Sequence, residues 1–248
     1  MTSVPFRAAT AGARQLLLPF ATDRPGFEAF VLGRNREAFE YLLSLAGGAP
    51  GVSLYLHGPS GSGKTHLLSA ACARVIERGG RAAYVALGSL PVGDLARPTW
   101  MEGLDLLCID DVQEVAGRSA WERGVMGLYD GASDAGAALV LAGRGSPGSL
   151  GLTLPDLESR LAWGLVYHLE MLDDRDKHEV LMLRAKGRGI DLQPEVAEYL
   201  LCRYPRGMAD LCRLLDRLDD GALVAQRSIT IPFVRDILED LRERGGER

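Results

Sequence analysis

Val52-Ser-Leu-Tyr-Leu-His57 followed by Gly58-Pro-Ser-Gly-Ser-Gly-Lys64-Thr65 is the stretch whose reading decides the fold. The first six residues read as a short apolar strand, and residues 63–78 carry the apolar spacing of a helix. The loop between them fits G-x-x-x-x-G-K-[ST] in the strand–loop–helix setting that this spacing requires. Gly58, Pro59, Ser60, Gly61, Ser62 and Gly63 are expected to form a phosphate cradle, with backbone N–H groups turned inward. The N-terminus of the helix adds partial positive charge. Only three of the 28 basic residues are lysines, namely Lys64, Lys177 and Lys186. A compact ammonium on a flexible stem suits position 64, because it reaches β- and γ-phosphates where a planar guanidinium fits poorly. Thr65 is the expected Mg²⁺ ligand in this pattern.

Such a loop works with a carboxylate at the end of a neighbouring strand. Leu104-Asp-Leu-Leu-Cys-Ile-Asp110-Asp111 supplies one, with Asp110 expected to orient Mg²⁺ through water and Asp111 to polarise an attacking water. Both aspartates also fit an ordinary helix cap. Binding of ATP or GTP with magnesium is the functional layer read from these residues.

Outward from the loop, apolar runs at 52–57, 81–87, 104–109, 137–142 and 165–169 read as strands. Helical patterns over 35–46, 63–78 and 118–134 interrupt them. Near-continuous apolar strands alternating with helices predict a parallel five-stranded sheet with helices on both faces. Beyond residue 170 the pattern becomes helices alone, over 173–187, 193–203, 207–226 and 230–244. Thr230 is placed to cap the last of these, with Pro232 in its first turn. The domain reading is a flexible tail over 1–25, an α/β nucleotide-binding domain over 26–170 and a small all-helical domain over 171–248.

Composition narrows the function classes. Residues 1–150 carry 13 basic and 14 acidic side chains, and residues 151–248 carry 15 and 19, which gives the net charge of −5. Neither half is basic, so strong nonspecific duplex binding is not expected. No apolar run approaches the roughly 18 residues of a membrane span. Leu16-Leu-Leu18 falls short of the apolar core of a secretory signal. Cys72, Cys108, Cys202 and Cys212 form no CxxC pair and read as reduced cysteines of a cytoplasmic protein. The four histidines show no zinc-ligand spacing.

Four separated motifs carry a family resemblance. Phe27-Glu-Ala-Phe-Val-Leu-Gly33, Cys108-Ile-Asp-Asp-Val-Gln113, Ser159-Arg-Leu-Ala-Trp-Gly164 and Ile229-Thr-Ile-Pro-Phe-Val-Arg235 resemble segments of the bacterial replication initiators of the DnaA family. The resemblance runs from about residue 26 to the C-terminus and implies an AAA+ module with a helical lid. It implies ATP or ADP as the nucleotide. No length remains after the lid helices for a domain that reads origin DNA, so direct sequence-specific DNA binding is not expected. Gln15-Leu-Leu-Leu-Pro-Phe20 is similar to the hexapeptide by which proteins dock on the bacterial sliding clamp, the beta subunit of DNA polymerase III. Gln15, Leu16, Leu18, Pro19 and Phe20 are the clamp-binding residues this implies. DnaA-homologous regulators of the Hda type carry such a motif.

What the Hda-type resemblance implies is action in trans. A regulator tethered to DNA-loaded clamp stimulates hydrolysis of DnaA-bound ATP and so prevents re-initiation. Arg160 matches the family's arginine finger, with self-association or a DnaA neighbour completing the site. The plain reading of Arg160 is an ion pair with Glu158 or Asp156 on one helix face. Two positions depart from the pattern. Arg144 stands where an acid normally follows the fourth strand, and Ala209 stands at the lid position that usually supplies a sensor arginine, with Arg206 or Arg213 a turn away. Weak or absent intrinsic ATPase follows as an expectation. Two rivals share the fold: a helicase-loader or transposition-type ATPase, and a clamp adaptor that hydrolyses nothing. The first generally adds an N-terminal partner domain or a basic single-strand path, which this sequence lacks.

Overall fold

The computed structural model describes residues 26–89, 101–204, 207–225 and 227–245. The hexapeptide at 15–20, Arg206 and the side chain of Ala209 lie outside the described residues.

Five strands form one sheet: β1 (Leu54–His57), β2 (Ala82–Ala86), β3 (Leu106–Asp110), β4 (Ala138–Gly143) and β5 (Leu165–His168). Their order is β2-β3-β4-β1-β5 and every pairing is parallel. The strands are almost wholly apolar because both faces are covered, and alternation divides each strand between two cores. Leu54, Leu56, Leu106, Cys108, Val140 and Ala142 pack under α1 (Arg36–Ala46) and α2 (Lys64–Glu77). Tyr55, Leu107, Ile109, Leu139 and Leu141 pack on the opposite face, under α3 (Ser119–Asp134) and α4 (Pro155–Trp163). β5 is an edge strand, and its Leu165 and Val166 stay partly exposed.

One expectation changes here. The strand carrying Asp110 is not next to the strand that precedes the glycine loop, because β4 lies between them. The gap is bridged from above: α2 packs across β3, β2 and β4, and its first turn meets the end of β3.

Helix α4 has no bounds in the sequence reading, where it is only the helix face that carries Asp156, Glu158 and Arg160. It is nine residues long, starts on Pro155 and buries only Leu157 and Leu161. Burial of each leucine contributes roughly 1.5–3 kcal/mol. Their partners on α3 lie far away in sequence, so tertiary packing rather than local periodicity holds this helix.

Helices α5 (Asp174–Gly187), α6 (Pro194–Arg203), α7 (Met208–Ala225) and α8 (Ile231–Gly245) enclose a third core built on Leu181, Leu200, Leu211, Leu215, Phe233 and Val234. Asp173 caps α5 in a capping box with Asp176. The Thr230 hydroxyl accepts from Phe233 N at 3.4 Å, the cap expected for α8. No helix among the described residues is long and apolar enough to cross a membrane.

Phe27–Ala29 forms a 3-10 turn with Phe27 buried. Phe30 stacks on Phe39 at 5.6 Å between ring centroids and lies 5.6 Å from the His66 ring of α2. Asn35 begins α1 but does not cap it. Its side chain takes both backbone groups of Glu170, donating from Nδ2 to the carbonyl at 3.1 Å and accepting from the N–H at 2.8 Å. That buried amide ties the start of α1 to the chain leading from β5 into the helical part.

Candidate functional site

The glycine loop leaves β1 at His57 and enters α2 at Lys64. Two of its glycines are sterically required. A Cβ on Gly58 would sit 2.4 Å from the Leu169 carbonyl oxygen. Gly63 has φ +96°, and a Cβ there would lie 2.7 Å from Phe30 Cε2. The loop is therefore pressed between the end of β5 and the N-terminal aromatic turn.

Lys64 is buried at the start of α2. Its Nζ donates to Gly58 O at 2.7 Å, Pro59 O at 2.8 Å and Ser62 Oγ at 3.3 Å. Three acceptors match the three donors of an ammonium. Burial lowers its pKa, Asp110 and Asp111 oppose that shift, and the Arg144 charge adds to it.

Asp110 ends β3 and is buried. Its Oδ2 accepts the Thr65 hydroxyl at 2.6 Å and the Tyr84 hydroxyl at 2.8 Å, while Oδ1 accepts Asp111 N at 2.8 Å. Tyr84, on β2, has its hydroxyl pKa pushed up by burial and then by the Asp110 charge. Asp111 adopts φ 61°, ψ 43°, the left-handed region, as no other described non-glycine residue does with positive φ. Such conformations cluster at functional sites. Gln113 holds it there, donating from Nε2 to Asp111 Oδ1 at 2.8 Å and accepting Arg144 N on Oε1 at 3.0 Å. One amide thus joins the ends of β3 and β4.

The structure brings together the loop from Gly58 to Thr65 and Asp110, with Asp111 beside them. Arg144 enters this neighbourhood through its charge on Lys64. Arg213 is exposed and pairs with Asp210 on its own helix. Arg160 stands on α4, and its partner is neither Glu158 nor Asp156. It pairs with Asp130 of α3 at 2.7 Å and lies 5.5 Å from the centroid of the Tyr129 ring.

Tyr84, Gln113 and Glu122 were not found from sequence. A tyrosine in a buried strand needs a partner for its hydroxyl, and Tyr84 lies one strand from Asp110. Glu122 shares a helical face with Val125, Tyr129 and Ala132, so the apolar spacing of α3 placed it inside. It is fully buried. It accepts Gly117 N at 2.8 Å, Thr153 N at 2.9 Å, the Thr153 hydroxyl at 2.8 Å and Leu154 N at 2.8 Å.

A phosphate-type loop, a buried aspartate on a β3 separated from β1 by an inserted strand, and a helical domain after β5 define a P-loop protein of the AAA+ class. Comparison narrows the class. Residues 174–238 match the family described as Hda, lid domain. Domain III of the replication initiation protein DnaA from Thermotoga maritima superposes with a TM-score of 0.77 over 90% of this chain and 98% of that one, at 24% identity. AMPPCP-bound DnaA from Aquifex aeolicus gives 0.65 over 82% and 66%, at 25% identity. The RuvB Holliday junction branch migration motor of Thermotoga maritima gives 0.60 over 84% and 69%, at 20% identity. The chain thus has an AAA+ fold similar to that of DnaA domain III, and its residues 174–238 are similar to the Hda lid domain.

Proposed function

We propose that this protein is a nucleotide-bound regulator that stimulates hydrolysis of DnaA-bound ATP in trans, through Arg160, while tethered to the DNA-loaded sliding clamp. The observation that carries the reading is the Hda-type lid on a DnaA-like module. The preformed phosphate loop supports nucleotide binding, and the DnaA module from Aquifex aeolicus, of similar fold, is bound to AMPPCP. ATP or ADP is the nucleotide expected. The Thr65 hydroxyl and an Asp110 carboxylate oxygen, 2.6 Å apart, form an all-oxygen donor set that fits Mg²⁺. Magnesium would neutralise phosphate charge there. Lys64 would exchange loop carbonyls for β- and γ-phosphate oxygens, and Thr65 and Asp110 would hold the ion.

The protein's own hydrolysis is slow in this reading. Asp111, the residue placed to polarise water, has one oxygen engaged by Gln113. Arg144 brings a cation, not an acid, to the end of β4. The bound nucleotide then serves to order the face presented to DnaA. Arg160 acts on the neighbour's nucleotide, where a guanidinium stabilises charge developing on the γ-phosphate, an effect of roughly 10³–10⁵ in rate. The clamp tether is assigned to Gln15, Leu16, Leu18, Pro19 and Phe20, acting as a short extended peptide in an apolar groove. Self-association and a cytoplasmic location complete the proposal.

The test is hydrolysis of ATP preloaded on DnaA, with and without DNA-loaded clamp. Stimulation by the intact protein, lost in Arg160→Ala and in the double change Leu18→Ala, Phe20→Ala, is expected. Clamp binding without stimulation would favour the adaptor reading instead.

A further inference from the structure

Helix α3 grips α4 at both ends. At the start of α4, Glu122 takes the backbone N–H groups of Thr153 and Leu154, the two residues that lead into the helix. Two turns along α3, Asp130 takes Arg160 in the last turn of α4, and Tyr129 lies against the same guanidinium. Tyr129 is itself fixed, being buried with its hydroxyl 3.1 Å from Ser53 Oγ at the foot of β1. Glu122 and Tyr129 are seven residues apart and share the inward face. Asp130 follows at the rim, which places its carboxylate at the surface rather than in the core.

The exposure of the pair gives it meaning. The side chains of Arg160 and Asp130 are 43% and 42% exposed. A solvent-facing pair of this kind contributes little to stability. It does restrict a long, rotamer-rich side chain to one geometry, and the guanidinium still has other N–H donors. Trp163, three residues on and 83% exposed, faces solvent near Arg160 on the same short helix.

We propose that Asp130 is a positioning residue for Arg160: it holds the guanidinium through Nη1, over Tyr129, so that its remaining donors meet the γ-phosphate of a docked neighbour already oriented. The proposal rests on the reading of Arg160 as a finger acting in trans. Asp130 touches no nucleotide in this account and acts only through Arg160. Pre-set orientation lowers the entropy lost when the finger engages, and a misplacement of about 1 Å can cost up to 10²-fold in rate.

The experiment titrates the full-length protein against DnaA carrying ATP, with DNA-loaded clamp, and compares intact protein, Arg160→Ala, Asp130→Asn and Asp130→Glu. Positioning predicts that Asp130→Asn lowers the saturating rate about tenfold. The half-saturating concentration should stay within about twofold, and the melting temperature within about 2 °C. Asp130→Glu, which keeps the charge, restores most of the rate. An Asp130→Asn protein as fast as the intact one overturns the proposal while leaving the finger reading in place. So does a loss that appears only as weaker half-saturation, which would make Asp130 a docking contact. Absence of stimulation by the intact protein is failure of the finger reading itself. The ¹⁵N relaxation of the Arg160 Nε–H decides the positioning claim independently. It should report an ordered side chain in the intact protein and a mobile one in Asp130→Asn, and equal mobility in both overturns the claim.

Discussion

The Tyr84 hydroxyl donates to Asp110 Oδ2 at 2.8 Å, the oxygen that also takes the Thr65 hydroxyl at 2.6 Å. Two strands and a helix therefore converge on one carboxylate oxygen at the centre of the proposed magnesium site. A hydrogen bond to a charged acceptor is worth about 1.5–3 kcal/mol. Tyr84→Phe should destabilise the protein by about 2 kcal/mol, lowering its melting temperature by roughly 4–8 °C. Nucleotide affinity should fall more in magnesium than in EDTA, because the ring remains and only the support of Asp110 is lost. Unchanged melting and unchanged magnesium dependence would show that the hydroxyl does not hold the carboxylate.

The buried Lys64 offers three donors to Gly58 O, Pro59 O and Ser62 Oγ of its own loop. The same ammonium is the one cation of the loop, and the proposed function gives it the phosphates. Lys64→Ala should weaken binding of a fluorescent ADP analogue at least about 100-fold, equivalent to roughly 2.7 kcal/mol. Lys64→Arg should fare little better, since a planar fork cannot fill a site shaped for a point charge. Anisotropy titration checks both, and an arginine variant binding within about threefold of the intact protein would contradict this account of the site.

The loop and the strand before it were legible in sequence because their signal is local: glycines, a lysine and a strand–helix junction within fourteen residues. The insertion of β4 between β1 and β3 was not, because strand order is set by crossovers that leave no mark on strand composition. Thr65 and Asp110, forty-five residues apart, were named separately, and only the path of α2 joins them. Arg160 was named, but its partner was sought within its own helix. Asp130 lies on another helix, and spacing along one chain segment cannot show a contact between two. Gln113 and Tyr84 have no special residue type or spacing. Their roles come from where β2 and the turn after β3 bring them.

Glu122 gives a test by pH. Burial alone would raise its pKa, but the donors from Thr153, Leu154 and Gly117 outweigh burial and hold it below the ordinary glutamate value. A depressed folded-state pKa means that the unfolded chain takes up the proton first on acidification. The stabilisation is complete above the unfolded value of about 4.3 and is lost as pH falls through the folded value. Glu122→Gln places an NH₂ group where N–H donors already point, so it should cost about 2–4 kcal/mol near pH 7. The gap between the melting curves of the two proteins should begin to close as pH falls below about 4.3. A gap that stays constant down to about pH 3.5 would mean that the ionised carboxylate is not what clamps the loop.

Trp163 separates docking from folding. It ends α4 and is 83% exposed, and the chain beyond it is held by Gly164, where a Cβ would lie 1.9 Å from Ser53 O. A large apolar ring therefore stands in solvent one helical turn from Arg160. An exposed residue contributes little to the fold, and Trp163→Ser should change stability by no more than about 0.5 kcal/mol. An exposed tryptophan at an interface is a common energetic centre, with truncation costing about 2 kcal/mol or more. Stimulation of DnaA should therefore need roughly 30-fold more of the variant to reach half-maximum, with the saturating rate largely kept. That is the reverse of the pattern expected for Asp130→Asn. A Trp163→Ser protein that melts normally and saturates at the intact concentration would place the docking face elsewhere on the molecule.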